Sequence, residues 1–138
     1  MRVFVDTCVW SLFLRRKPKV VSSREKLLIT AMRELIVEGR AIIAGAVRQE
    51  LLSGIRESAA FDELCEYLQF FDDEAVEVAD YEQAARFHNH CRAHGIAGSS
   101  VDMLLCSMAE RRNLSVFTTD GDFARYSLHL PIRLYPHP

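Results

Sequence analysis

The stretch Arg2 to Trp10, RVFVDTCVW, constrains the fold more than any other. Val3-Phe4-Val5 is apolar without alternation, the pattern of a strand covered on both faces, as in a parallel sheet between two helical layers. Such a strand is central. Asp6 ends it, and Thr7 to Leu14 resumes a helical apolar pattern in which Thr7 is a candidate N-cap. An acid at the carboxyl end of a buried parallel strand stands where open α/β sheets bind their ligands.

The rest of the chain repeats the alternation of strand and helix. Ser22 or Ser23 caps a helix running to about Glu38, with Gly39 as its stop. Ala41 to Ala44 is a second buried strand, and a helix begins near Ala46. Another helix spans about Ser58 to Phe70. Ala75 to Ala79, with Val76 and Val78 alternating, is expected as a third, edge strand. Asp80 is expected to cap a helix from Tyr81 to His94. Gly98-Ser99-Ser100 opens the next helix, ended by Asn113. Leu114 to Thr119 forms a fourth strand, Phe123 to Leu128 a short helix, and Leu130 to Tyr135 a final strand. Strands separated by helices predict a three-layer α/β fold with a parallel sheet of four to five strands. The 138 residues suit one domain.

Hydrophobic residues make up 49% and charged residues 26%, ordinary for a globular chain with a real core. No apolar run is long enough to span a membrane. The chain opens directly on a strand, so no signal peptide is expected. Cys8, Cys65, Cys91 and Cys106 are scattered in apolar helical contexts, as free thiols of a cytoplasmic protein would be. Net charge is -2, from 17 Lys and Arg against 19 Asp and Glu, which does not advertise a nucleic-acid surface. Setting aside four acids for a metal site leaves the remaining surface mildly basic.

Those acids are Asp6 after strand one, Glu50 in the helix after strand two, Asp102 in the first turn of the helix before strand four, and Asp120 after strand four, with Asp122 close behind. Right-handed crossovers put the carboxyl ends of parallel strands on one edge. Each acid alone has a plain structural role: a helix cap, a dipole partner, or a turn at Asp120-Gly121. Together they need a cation, because two carboxylates about 4 Å apart repel by roughly 4 kcal/mol at an effective dielectric of 20. A hard divalent ion such as Mg2+ prefers such oxygen ligands.

The chain resembles the PIN-domain ribonucleases, most closely the VapC toxins of bacterial type II toxin–antitoxin pairs. The matching pieces are VDTCVW (Val5 to Trp10), RQELLSG (Arg48 to Gly54), SSVDMLLCSMA (Ser99 to Ala109) and FTTDGDF (Phe117 to Phe123), and their order covers essentially all of residues 1–138 as a single PIN domain. The resemblance implies a Mg2+-dependent (or Mn2+-dependent) endoribonuclease with Asp6, Glu50, Asp102 and Asp120 as its acids. Asp6, Asp102 and Asp120 would hold metal directly or through water, and Glu50 would hold metal or orient the attacking water. Asp122 matches an accessory acid. Thr118, Thr7 and Ser99 or Ser100 would orient carboxylates or water.

The resemblance also implies an RNA substrate, a cognate VapB-like antitoxin that can send an arginine into the acidic pocket, and a homodimer, assembled with antitoxin into a heterotetramer or larger. Arg15, Arg16, Lys17 and Arg48 are the expected RNA contacts, on phosphate rather than bases. Trp10, Phe13 and Leu14 are the expected antitoxin groove. A housekeeping RNA-processing PIN nuclease without antitoxin, or a non-catalytic α/β interaction module, would carry much the same sequence.

Competing chemistries fit less well. His90 and His94 stand at i, i+4 on one helix, but Cys91 points elsewhere and no third zinc ligand is evident, so His88 and its neighbours are expected to pack or to join an interface. A haloacid-dehalogenase phosphatase would want an acid where Cys8 stands. A receiver domain would want a late lysine, and Lys26 is the last.

Overall fold

The computed structural model describes residues 1–14 and 21–138. Five parallel strands form one sheet in the order β3-β2-β1-β4-β5. They are β1 (Val3–Val5), β2 (Ala41–Ala44), β3 (Asp73–Glu74), β4 (Ser115–Phe117) and β5 (Arg133–Leu134). β1 is central, with Val3 opposite Ala41 on one side and Ser115 on the other. All of β1 and β2 and most of β4 are buried, which is why their sequences run apolar without alternation.

Seven helices flank the sheet among the described residues: α1 (Thr7–Phe13), α2 (Ser23–Val37), α3 (Gly45–Leu52), α4 (Ser58–Leu68), α5 (Val78–Ala93), α6 (Ser100–Arg111) and α7 (Gly121–Ser127). The chain moves from β1 outward to β2 and β3, then crosses back to β4 and on to β5. Right-handed connections therefore put α1 to α4 on one face and α5 to α7 on the other. The reversal lies between β1 and β4, and the crevice beyond their carboxyl ends is the place where such sheets bind ligands.

Local chemistry sets the element ends. Ser22 and Glu25 form a reciprocal capping box at α2. Gly39 follows the C-cap of α2 at φ 68°, a left-handed conformation that glycine adopts without a Cβ clash.

Three expectations are corrected. The N-cap of α1 is Asp6 rather than Thr7: Asp6 is extended (φ -75°, ψ 159°) and its side chain accepts the Thr7 N–H. The third strand is Asp73–Glu74, not Ala75 to Ala79. This edge strand is held by charge rather than apolar alternation, since Glu74 pairs with Arg2 (3.0 Å) and Arg112 (2.9 Å) and Asp73 with Arg48 (3.5 Å). Helix α5 starts at Val78, and Asp80 is its third residue, closing a capping box with Glu77. Val78 is accordingly exposed on that helix's first turn.

Candidate functional site

Asp6 anchors the crevice. Its backbone N–H continues the sheet by donating to Phe117 O (2.9 Å), so β1 and β4 end side by side. The carboxylate is almost fully buried, and both oxygens are engaged. Oδ1 accepts the Thr7 N–H at 2.8 Å; Oδ2 accepts the Thr118 hydroxyl at 2.8 Å and the Cys8 thiol at 3.6 Å. Burial pushes the Asp6 carboxyl above its ordinary pKa, the hydrogen bonds from Thr118, Thr7 and Cys8 oppose that rise, and the Glu50 charge adds to it.

Thr118 lies just past β4, and its buried hydroxyl does two things. It donates to Asp6 and accepts the Asp120 N–H at 3.0 Å. Asp120 is exposed and caps α7, its Oδ1 accepting the Asp122 N–H at 2.9 Å. Asp122 pairs with Arg125. Glu50 comes from α3, and its Oε1 accepts the Thr7 hydroxyl at 2.7 Å, so Thr7 bridges the Asp6 loop to the second acid.

Asp102 enters from the opposite helical layer. Ser99 caps α6 by accepting the Asp102 N–H at 3.1 Å. Burial pushes the Asp102 carboxyl up, the Tyr126 hydroxyl pulls it down, and the charges of Asp6 and Asp120 push it up again. Those mutual effects place Asp6, Glu50, Asp102 and Asp120 within one electrostatic neighbourhood, drawn from four separated parts of the chain.

The donor set is all carboxylate and hydroxyl oxygen, apart from the Cys8 thiol, and suits a hard cation rather than zinc. Among the described residues no three His, Cys, Asp or Glu side chains stand at coordinating distance. A cation would have to draw the acids inward against their own repulsion, which its charge would cancel.

Other expected site residues are distributed differently. Arg15, Arg16 and Lys17 lie outside the described residues. Arg48 faces Asp73 (3.5 Å) and donates to Leu68 O (3.3 Å), so its guanidinium is engaged within the fold. Trp10 is wholly buried, edge-on to Phe71, and belongs to the core rather than to a surface groove. Leu14 does line a groove of about 520 Å³ between α1, α3 and α4, with Leu51, Ile55, Leu64 and Tyr67. Phe13 is partly buried against the core. His94 lies against His90 and stacks on His129, at ring separations of 4.6 and 4.5 Å.

Tyr126 was not singled out by its sequence context. It is buried, and its hydroxyl donates to Asp102 Oδ2 at 2.8 Å. The available signal was a tyrosine in the apolar stripe of a short helix: a buried phenol needs a partner, and acids are its nearest candidates.

A family model for the PIN domain matches residues 3–128. No match is found among curated proteins. Among solved structures, FitAcB from Neisseria gonorrhoeae superposes with TM-score 0.74 at 18% identity, covering 97% of this chain and 96% of its own. VapBC2 from Rickettsia felis, bound to a DNA fragment from its promoter, gives 0.74 at 14% identity, covering 98% of each chain. The sarcin-ricin loop cleaving toxin VapC20 from Mycobacterium tuberculosis gives 0.67 at 17% identity, covering 95% of this chain and 98% of its own. At these identities the likeness is one of fold.

Proposed function

The chain belongs to the PIN-domain family, and on that premise we propose that it is a metal-dependent endoribonuclease, the toxin of a VapC-type toxin–antitoxin pair. The reading takes residues 1–138 as one domain, cytoplasmic; no described helix is long and apolar enough to cross a membrane. One observation carries the chemistry. Asp6 is almost fully buried at the carboxyl end of β1, bonded by Thr7 and Thr118, and Asp102 is held by Tyr126 from the opposite helical layer near enough that their charges act on each other, an arrangement that costs free energy unless a cation compensates it.

Asp6, Asp102 and Asp120 would hold Mg2+ or Mn2+. When bound, the ion supplies neutralisation of the cluster and Lewis acidity toward the scissile phosphate. Glu50, held by Thr7, would orient the attacking water or add a ligand. Thr118 keeps Asp6 and the Asp120 backbone in fixed relation. In-line attack at phosphorus would leave a 5'-phosphate and a 3'-hydroxyl, as the family resemblance implies, without a histidine base.

The partner reading rests on the apolar groove between α1, α3 and α4 and on the fold shared with a toxin–antitoxin complex from Klebsiella pneumoniae. An amphipathic antitoxin segment would lay its apolar face there. Exposed Val78 and Tyr81 on α5 suit a homodimer face.

Incubating the purified chain with total RNA and Mg2+, then mapping the new ends, tests the reading. Discrete cleavage that stops with EDTA and with Asp6→Asn is expected. Unchanged cleavage by Asp6→Asn would sink the site. Growth arrest on expression, relieved by a small neighbouring open reading frame, separates a toxin from a housekeeping nuclease. An Asp6→Asn chain as growth-arresting as the parent would favour a non-catalytic module.

A further inference from the structure

Tyr126 sits at the far end of the helix that Asp120 begins. Helix α7 is capped by Asp120 and runs Gly121–Ser127. Its buried face carries Phe123 and Tyr126, whose rings meet edge-on at 5.2 Å. Phe123 is fully enclosed, so the Tyr126 ring is packed in place and its Oη is carried to Asp102 Oδ2 at 2.8 Å. The Tyr126 carbonyl is also tied down, accepting the N–H groups of His129 (2.9 Å) and Leu130 (2.8 Å). Ring and backbone are thus both anchored by contacts that do not involve Asp102.

A hydroxyl in such a place has a cost. Packing alone would be served by phenylalanine, because a buried phenol without an acceptor loses its hydration and gains nothing. Here the acceptor is a carboxylate, and a hydrogen bond to a charged group is the stronger kind. Asp102 otherwise belongs to α6, where the Ser99 hydroxyl caps its backbone N–H and also acts on its carboxylate, from the helix's own N-terminus rather than from another element. An ionised carboxylate has about four lone-pair sites, so the Tyr126 and Ser99 hydroxyls leave room for a cation or water.

We propose that Tyr126 is a positioning residue for the metal site: its hydroxyl sets the rotation of the Asp102 carboxylate and links the third acid to the helix that Asp120 caps. The inference rests on the metal-site reading above. Helix α7 then holds two acids in register, Asp120 through its own N-terminus and Asp102 through the Tyr126 hydroxyl. Outer partners of metal-binding carboxylates act in this way, by lowering the freedom the ligand must lose on binding.

The test is Mn2+ binding to the RNA-free full chain, read by electron paramagnetic resonance or calorimetry, with Tyr126→Phe, Asp102→Asn and their double variant. Tyr126→Phe keeps the ring and is expected to raise the Mn2+ Kd by about tenfold or more. The double variant should bind no more weakly than Asp102→Asn alone, because the hydroxyl acts through that carboxylate. In cleavage, the metal-activation curve should move to higher concentration with KM for RNA unchanged.

Leu35→Ala, which opens the core under α2 in the other helical layer, is the packing control. It should lower Tm while leaving the Mn2+ Kd unaltered. A Tyr126→Phe chain that loses Tm and keeps the wild-type Mn2+ affinity would overturn the proposal, and so would additive losses in the double variant. If Asp102→Asn binds Mn2+ as the parent does, the metal-site reading falls, and this inference with it. If only Tyr126→Phe is silent, this inference alone fails.

Discussion

The Thr118 hydroxyl donates to Asp6 Oδ2 at 2.8 Å and accepts the Asp120 N–H at 3.0 Å, tying the ends of β1 and β4 together at the sheet's switch point. A buried hydroxyl that both donates and accepts is hard to replace. Thr118→Val keeps the shape but leaves two polar groups without their partner. It should cost about 1–3 kcal/mol in urea unfolding and about 10- to 100-fold in cleavage rate. Thr118→Ser should recover most of both; a valine variant with parental activity would show that the hydroxyl only fills space.

Cation binding should be visible in stability. A ligand that binds only the folded state at a hundred times its Kd adds about 2.7 kcal/mol, which is several degrees in Tm for a chain of this size. Adding Mg2+ or Mn2+ to EDTA-treated protein should raise Tm by that order. Asp6→Asn and Asp102→Asn should abolish the rise. An equal rise in both variants would place the ion elsewhere.

Asp80 makes a separate, structural prediction. It is fully buried and bonded by both Arg112 (2.8 Å at each carboxylate oxygen) and Arg111 (2.7 Å). The Arg112 hydrogen bonds hold its carboxyl well below the usual carboxylate range. Asp80→Asn should cost about 1.5–3 kcal/mol at neutral pH, because Arg112 and Arg111 lose their buried charged acceptor and keep, as charged partners, only the more exposed Glu74 and Glu77. The folded pKa lies below the unfolded one, so the stabilisation is complete above roughly pH 5 and drains away as pH falls below the ordinary aspartate value of about 3.9. Urea unfolding of both proteins at pH 7, 5 and 3 should show a constant gap that narrows only at the last. Cleavage chemistry at neutral pH should change little in the folded fraction.

Arg48 is expected to act within the fold. Its contacts are Asp73 and the Leu68 carbonyl. Arg48→Ala should lower Tm modestly, since its ion pair is partly solvated, and leave the salt dependence of RNA binding unchanged. A loss of one phosphate contact would instead flatten the slope of log K against log salt by about 0.7. That outcome would return Arg48 to the RNA surface.

Leu51 lines the groove between α1, α3 and α4. Leu51→Arg places a charge on its apolar wall. Antitoxin affinity should fall at least tenfold while RNA cleavage by the free chain persists. Unaltered antitoxin binding, measured by calorimetry, would move that interface elsewhere.

Much of this architecture is legible in local pattern. Val3-Phe4-Val5 and Ala41-Ile42-Ile43-Ala44 are apolar because both faces are covered, and the capping box at Ser22 and Glu25 marks where α2 begins. The third strand was misplaced because its two residues are acidic. Their strand character comes from Arg2, Arg48 and Arg112, which are distant in sequence and invisible to a local window. Trp10 fits a partner groove or the core equally well in sequence for a similar reason: a helical stripe says which side is apolar, not whether core or partner covers it, and here the core does.

The alternation of strands and helices, the central place of β1 and the choice of candidate acids were legible in the sequence alone, because burial periodicity and residue chemistry are local properties. Tertiary structure decided which groups hold those acids. Thr118 reaches Asp6 across 112 positions, Thr7 reaches Glu50 across 43, and Tyr126 reaches Asp102 across 24. Hydrogen bonds of this kind depend on separations of a few tenths of an ångström between side chains that meet only after the sheet has closed and both helical layers have packed.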